Sequence, residues 1–431
     1  MSHLQSSPMD RLLVTGGAQL RGSVRISGAK NSALKLMAAA LLAPGRCTIS
    51  RVPRILDCRL MGRLLEHMGL DVSWDGDLVS VDGSELTSIE APYELVRQMR
   101  ASIVVLGPLL ARRGEARVAM PGGDNIGSRP IDLHLRGLER MGAEISMEHG
   151  FLHARAPRLH GAVITLEYPS VGATENLLMA AVAARGTTVI DNAAREPEIA
   201  DLAAFLVSMG ADVRGAGSST LEVEGVEAFT PADHATMPDR IEAGTFAAAA
   251  VATRGDVELV GARSDHLELA LSKLADAGAQ IDLTQTGVRV RQPERARAVD
   301  FVTLPYPGLA TDFQPILMAM LVTATGTSIA TENVFESRFL YVDELVRMGA
   351  DVRTESHHAV IRGVPRLSAA PVRALDIRAG AAMVIAALTA DGITEVAGMH
   401  HVDRGYEDFE WKLAGLGADV RREREHAPSP S

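Results

Sequence analysis

A short phrase recurs six times along this chain: an apolar-periodic stretch runs into Gly, then a small or apolar residue, an acidic or amide residue, and a β-branched apolar residue. The copies read HMGLDV, RMGAEI, SMGADV, DAGAQI, RMGADV and GLGADV. Their glycines, Gly69, Gly142, Gly210, Gly278, Gly349 and Gly417, are separated by 73, 68, 68, 71 and 68 residues. So regular a period marks a repeat architecture. Glycine enters the left-handed region without a Cβ penalty, so each copy reads as a helix stopped by Gly and followed at once by a strand. Upstream, Leu133, Leu135, Leu138 and Met141 recur at helical spacing, while GTTVI (Gly186 to Ile190) and GDVEL (Gly255 to Leu259) read as strands opened by Gly turns. A unit of about 70 residues is a supersecondary block rather than a small solenoid repeat. The predicted fold class is therefore α/β, and six such units divide into two domains of three.

The length of 431 residues independently favours two cores, since single cores stop growing near 250–300 residues. A net charge of −11 argues against a nucleic-acid coat, so an anionic ligand needs a local basic pocket. The polar N-terminus and the lack of any long apolar run predict a cytoplasmic protein that avoids membranes. Cys47 and Cys58 are too few for a disulfide framework and read as buried thiols. Only Lys30, Lys35, Lys273 and Lys412 interrupt an arginine-rich basic set. A lysine in a glycine turn therefore stands out.

That lysine lies in Ser27-Gly28-Ala29-Lys30-Asn31-Ser32, between a predicted strand (Gly22 to Ile26) and a helical run to Leu42. A tight turn, free helix N–H groups and one ammonium together make an anion site. Arg97-Gln98-Met99-Arg100 brings a basic pair to the edge of an apolar run, where Arg100 either snorkels or reaches a ligand. Pro121-Gly122-Gly123-Asp124-Asn125-Ile126-Gly127-Ser128-Arg129 has the glycine content of a mobile loop and would deliver a carboxylate on closing; the blander alternative is a loop with a helix cap. Tyr168-Pro169-Ser170-Val171-Gly172 opens another apolar helix and suits phosphate oxygens or an ordinary cap. In the second half, Asp312, the segment Val334 to Arg338, Asp376 to Gly380 and Asp403 to Tyr406 each pair an acid with a nearby Arg or amide. Structural ion pairs would explain any one of them alone.

Taken together, the segments SGAKNSAL, APYELVRQMRASI, PGGDNIGSRPIDLH, SVGAT, DNAAREPEI, PDRIEAGTF, TENVFESRF and HVDRGYE resemble the UDP-N-acetylglucosamine 1-carboxyvinyltransferase (MurA) family of enolpyruvyl transferases, from about Leu12 to Val420. The shikimate-pathway synthase shares the fold, but its Lys-Ser and Asn-Ala-Gly-Thr segments have no counterpart here. The resemblance implies a two-domain inside-out α/β barrel of six βαβαββ-type repeats. Residues 10–29 plus 239–420 would form a C-terminal-type domain and residues 30–238 an N-terminal-type domain carrying the loop, with the active site in the cleft. The charged, Pro/Ser-rich residues 421–431 are predicted to be disordered.

The resemblance also implies roles. Lys30, Asn31, Arg129, Arg378 and Arg404 would bind phosphoenolpyruvate. Arg100, Arg129, Pro130, Ile131, Asp132, Leu133, Ser170, Val171, Asp312 and Val334 would bind UDP-N-acetylglucosamine. Lys30, Asp124, Arg129, Asp312 and Arg404 would be catalytic, with Asp312 accepting the proton of the sugar 3-hydroxyl and with no metal or other cofactor. Two departures stand out. Asp124 occupies the family's usual Cys position, which implies a carboxylic acid with a raised pKa as proton donor and insensitivity to fosfomycin, an alkylator of that thiolate. Tyr168 stands where many members place a Lys toward the nucleotide phosphates. An enolpyruvyl transferase using another nucleotide such as UMP, or a catalytically silent UDP-sugar-binding regulator, therefore stays open as an alternative.

Overall fold

The computed structural model describes residues 10–123 and 125–424. They separate into two compact units, one of residues 10–27, 125–128 and 238–424 and the other of residues 28–123 and 129–237. Each unit contains three four-stranded sheets with a single strand plan. A short strand lies parallel to a central strand; the central strand pairs antiparallel with a third, and the third with a fourth at the edge. In the 28–237 unit, Glu90–Ala91, Glu115–Ala119, Phe151–Arg155 and Glu144–Glu148 follow this order. The set Val163–Thr165, Thr187–Asp191, Thr220–Glu224 and Asp212–Arg214 repeats it. The third sheet closes the unit, because Asp233–Ala235 returns to pair with Arg46–Ser50, the first strand of that unit. The other unit repeats the plan three times, and it borrows Arg11–Thr15 and Arg21–Arg25 from the beginning of the chain to complete two of its sheets. A two-stranded pair, Leu367–Ser368 with Ala390–Asp391, is added there.

The strands alternate buried and open positions, as in Asp256–Val260 and Thr327–Thr331, so each sheet turns one face inward. What they cover is unusual for helices. Phe313–Leu321 and Ile377–Leu388 are buried at every residue, Arg240–Ala252 at all but its last, and Lys30–Ala39 at all but Asn31. Val171–Ala181 is buried from Ala173 onward. Runs such as FAAAAVA explain how helices pack together this deeply: alanine brings no bulk, and aromatic residues make up only 4% of the chain. Sheets outside and helices inside make each unit an inside-out α/β barrel.

A second set of helices is amphipathic, and each ends at one of the repeated glycines. All six glycines adopt φ between +88° and +104°. Each ending carries the same pair of bonds: Gly69 N–H donates to Glu66 O and Leu70 N–H to Leu65 O, a pattern repeated through Gly417 to Ala414 and Ala418 to Leu413. The chain then enters the edge strand two residues later.

One expectation is corrected. Arg421–Glu423, assigned from composition to a disordered tail, completes the strand Asp419–Glu423, pairing along Arg11–Thr15 with Leu12 opposite Arg422. Linear charge suggested solvation, but the Arg422 guanidinium is held by Asp10, Asp403 and Glu410. Residues 425–431 lie outside the described residues.

Three of the four lysines are also sequestered. Lys30 Nζ lies 2.7 Å from Asp57, Lys35 Nζ 3.3 Å from Glu175, and Lys412 Nζ 2.5 Å from Glu242. Burial pushes the Glu175 and Glu242 carboxyls up to about 7 against the opposing pull of their lysines.

Two outcomes follow from this architecture. Gly210→Ala places a Cβ in open space but at φ +103°, and is expected to cost about 1 kcal/mol by urea unfolding. Gly415→Ala, in the helix Phe409–Gly415 with nothing near its added Cβ, is expected to be neutral or slightly stabilising. For the buried pair, the folded state binds more protons than the unfolded state between the ordinary carboxyl value of 4.5 and about 7. The contribution of Glu175 to stability therefore falls as pH rises through that window. A Lys35→Met/Glu175→Met double variant is expected to show a shallower decline over the same range; an unchanged slope would refute the assignment.

Candidate active site

The Lys30 turn is built by close approach. A Cβ on Gly28 would sit 1.7 Å from the Arg51 carbonyl oxygen, so no other residue fits without moving backbone. Ala29 N–H donates to Met237 O at 2.7 Å and so anchors the entry to the helix. In that first turn Lys30 meets Asp57, and Ser32 Oγ donates to Asp201, whose second oxygen faces His234 Nε2 at 2.9 Å. Lys35 Nζ donates to the Asn31 carbonyl at 2.8 Å. A buried ammonium at the start of a helix is thereby fixed on one side by a carboxylate, in a setting that favours anions.

Arg100 and Arg129 are neighbours in the same unit. An added Cβ on Gly123 would lie 3.0 Å from Arg100 Cβ and 3.3 Å from Arg129 Nη2. Burial, reinforced by the Arg129 charge, pushes Arg100 down to about 10, so it stays protonated near neutrality. Two guanidiniums that repel each other in a partly buried place gain stabilisation from an anion. Beside Arg100 lies His134, which burial and that guanidinium push down to about 4. Its tautomer is set by Asn176. The amide oxygen accepts from Gly107 N–H at 2.6 Å, leaving Nδ2 to donate to Ile103 O and to His134 Nδ1 at 3.0 Å. His134 is thus neutral with its proton on Nε2, 3.3 Å from where a Gly172 Cβ would be. Ser170 caps the next helix, its Oγ accepting from Ala173 N–H at 3.3 Å, and its hydroxyl proton remains available to a ligand oxygen. Pro130 and Ile131 lead into the helix Asp132–Arg140; Asp132 pairs with Arg136 at 2.8 Å, and Val171 and Leu133 pack against the core.

The other unit gathers a second set at the N-termini of its three inner helices. Asp239 and Asp376 cap two of them, each accepting two backbone N–H bonds at 2.8 and 2.9 Å. Asp312 holds the same position on the third helix and makes no cap. Its Oδ1 turns instead toward Arg338 at 3.2 Å and Arg378 at 3.5 Å. The arginine side chains are 2% and 5% exposed, the carboxylate 30%, so the acid is the member of this cluster that meets solvent. Burial opposes the Arg378 charge, but Tyr406, Asp312 and Asp239 outweigh it and hold the guanidinium above its ordinary value. The Tyr406 ring lies under Arg378 at 5.1 Å. Arg404 is in the turn Val402–Arg404, which packs closely there: a Cβ on Gly405 would be 2.3 Å from Ile377 Cγ2 and 3.6 Å from Arg378 Nη1. Val334 N–H and Phe335 N–H both donate to Glu332, whose other oxygen accepts from Thr311 Oγ1, so one buried carboxylate organises the segments on either side of the cluster.

Asp124 lies outside the described residues. Of the remaining candidates, Lys30 and Asn31 share one helix turn, Arg100 and Arg129 stand side by side, Asp312 and Arg378 belong to a second cluster, and Arg404 lies on the turn whose next residue, Gly405, packs beside Arg378. The sequence reading gave no role to Asp57, Glu332 or Asn176 and did not separate Asp312 from Asp239 and Asp376 as helix caps. An acidic residue before each of three apolar helices was visible, but which one leaves its cap was not. Among the described residues, no group of three or more His, Cys, Asp or Glu side chains is arranged to hold a metal ion.

Residues 14–413 match the model of the family described as EPSP synthase (3-phosphoshikimate 1-carboxyvinyltransferase). The UDP-N-acetylglucosamine 1-carboxyvinyltransferase of Corynebacterium jeikeium is 54% identical over 413 residues, covering 96% of this chain and 99% of that protein. The proteins of that name from Mycobacterium tuberculosis and Trichlorobacter lovleyi are 53% and 50% identical, again covering 96% of this chain and 99% of theirs. Among solved structures, the enolpyruvyl transferase NikO from Streptomyces tendae superposes with a TM-score of 0.87 at 28% identity, covering 97% of this chain and all of NikO. An EPSP synthase from Acinetobacter baumannii, 18% identical over 96% of this chain and all of its own, shares the fold with a TM-score of 0.76. With three sheets around buried helices in each unit and full-length relatives 50–54% identical, the chain belongs to the EPSP synthase family and, within it, to the UDP-N-acetylglucosamine 1-carboxyvinyltransferases.

Proposed function

We propose that the protein transfers the 1-carboxyvinyl group of phosphoenolpyruvate to the 3-hydroxyl of UDP-N-acetylglucosamine, releasing phosphate, as a cytoplasmic step in supplying peptidoglycan precursor. Among the described residues no helix is long and apolar enough to cross a membrane, which fits that setting.

In this reading Lys30, Asn31, Arg129, Arg378 and Arg404 take the phosphate and carboxylate of phosphoenolpyruvate, whose charge calls for guanidinium forks and an ammonium. Arg100, Arg129–Leu133, Ser170, Val171, Asp312 and Val334 take the UDP-sugar. Protonation of the vinyl CH2 makes the neighbouring carbon electrophilic, and the sugar oxygen adds there as Asp312 accepts its proton. Loss of phosphate, with a proton from the new methyl group, then regenerates the double bond. Asp124 supplies the first proton, a role that rests on sequence alone. The observation carrying the proposal is the uncapped Asp312: at a position where two sister aspartates spend their carboxylates on backbone N–H groups, this one faces two buried arginines and stays accessible. Such a carboxylate is placed for proton transfer beside bound anions.

Phosphate release measured with UDP-N-acetylglucosamine and with UMP is the direct test. Release with the sugar nucleotide alone is expected; release only with UMP would move the assignment to another acceptor, and none with either would favour a silent binding protein. Asp312→Asn and Lys30→Met are expected to lower kcat by about 100-fold or more. Fosfomycin is expected to leave the enzyme active, while Asp124→Cys gains time-dependent inactivation. Covalent inactivation of the unsubstituted protein would contradict the role given to Asp124.

A further inference from the structure

We propose that Arg422, on the last described strand, is a positioning residue for Arg404, holding the Val402–Arg404 turn through Asp403 so that the adjacent guanidinium is presented to the phosphoenolpyruvate anion. This rests on the assignment of Arg404 to phosphoenolpyruvate above.

Backbone bonds close the turn, with Asp403 N–H donating to Met399 O and Gly405 N–H to Val402 O, and the Asp403 side chain is then oriented from outside it. The turn is a single three-residue 3-10 turn with no side-chain cap, between His401 and Gly405. Arg422 meets Asp403 in a two-armed contact, Nη1 to Oδ1 at 2.8 Å and Nη2 to Oδ2 at 2.5 Å. Planar fork-to-carboxylate pairing fixes orientation as well as distance, which a lysine ammonium does not. The same guanidinium is held from behind: Nε lies 2.9 and 3.1 Å from the two oxygens of Asp10, and Nη1 lies 3.3 Å from Glu410. Its side chain is only 9% exposed, and that of Asp10 only 3%. The arrangement ties the turn to both ends of the described chain, since Asp10 precedes the strand Arg11–Thr15 and Arg422 lies opposite Leu12 in that pairing. Close packing of Gly405 on Ile377 fixes the backbone next to Arg404, and Asp403 fixes it from the side chain.

The test measures KM for phosphoenolpyruvate and for UDP-N-acetylglucosamine separately, with thermal midpoints, in Arg422→Met, Arg422→Lys, Asp403→Asn and Arg404→Ala. Arg422→Met and Asp403→Asn are expected to raise KM for phosphoenolpyruvate by about tenfold or more while KM for the sugar nucleotide changes by less than about twofold. Arg422→Lys, which keeps the charge but not the fork, is expected to fall between them and the parent enzyme. If Arg422→Met does not fold, Asp403→Asn carries the test, because it leaves the Arg422–Asp10 contact in place. Equal increases in both KM values, or an unchanged KM for phosphoenolpyruvate in the folded variants, overturn the proposal. An Arg404→Ala enzyme with an unaltered KM for phosphoenolpyruvate overturns the underlying assignment instead.

Discussion

A helix with no solvent-facing side can hold a charge only against another charge or at its ends. The inner helices of both units obey that constraint, and the rest of the protein follows from it. Along their length the helices carry Ala, Leu, Met and Val, and the single lysine within the body of one, Lys35, is matched by Glu175 from another. At their N-termini the polar residues accumulate: Lys30 and Asn31, Ser170, Asp239, Asp312, and Asp376 with Arg378. Unsatisfied backbone N–H groups concentrate there too. Three sheets that wall off the helix sides leave the helix ends as the natural place for anion chemistry.

The sister positions show how such a scaffold acquires function by small departures. Three aspartates precede three equivalent helices; two stabilise their helix and one does not. A lost cap costs about 1 kcal/mol, which a core of this size can absorb, and the carboxylate faces Arg338 and Arg378 instead. Lys30 departs in the same sense, as an ammonium at a helix N-terminus where the macrodipole disfavours it, restrained there by Asp57. In both places a charged side chain at a helix N-terminus is held by an oppositely charged partner from another segment.

Much of this was legible in the sequence because the repeat advertises itself. A glycine that must adopt positive φ cannot be replaced cheaply, so the six helix endings survive as a visible phrase, and the apolar runs after Lys30 and Ser170 disclosed two of the inner helices. The residues of the candidate site were legible as motifs at turns. What stayed hidden depends on pairing across long separations. Asp57 lies on another helix from Lys30, and nothing in its surroundings in the chain marks it as a partner. The choice of Asp312 over Asp239 and Asp376 turns on Arg338 and Arg378, which no local pattern ranks. Arg421–Glu423 looked like solvated tail because an edge strand with polar residues on both faces has no hydropathic signature, and the ion cluster that holds it draws on Asp10 at the far end of the chain.

The scarcity and placement of lysine carry a practical corollary. Lys30, Lys35 and Lys412 are enclosed with carboxylate partners, and their side chains are between 9% and 17% exposed. Lys273, on an amphipathic outer helix of the unit that does not hold Lys30, is the most open of the four at 28%. Among lysine side chains, an acylating dye or an amine-coupling resin should therefore react chiefly at Lys273, with any free α-amino group as the competing site.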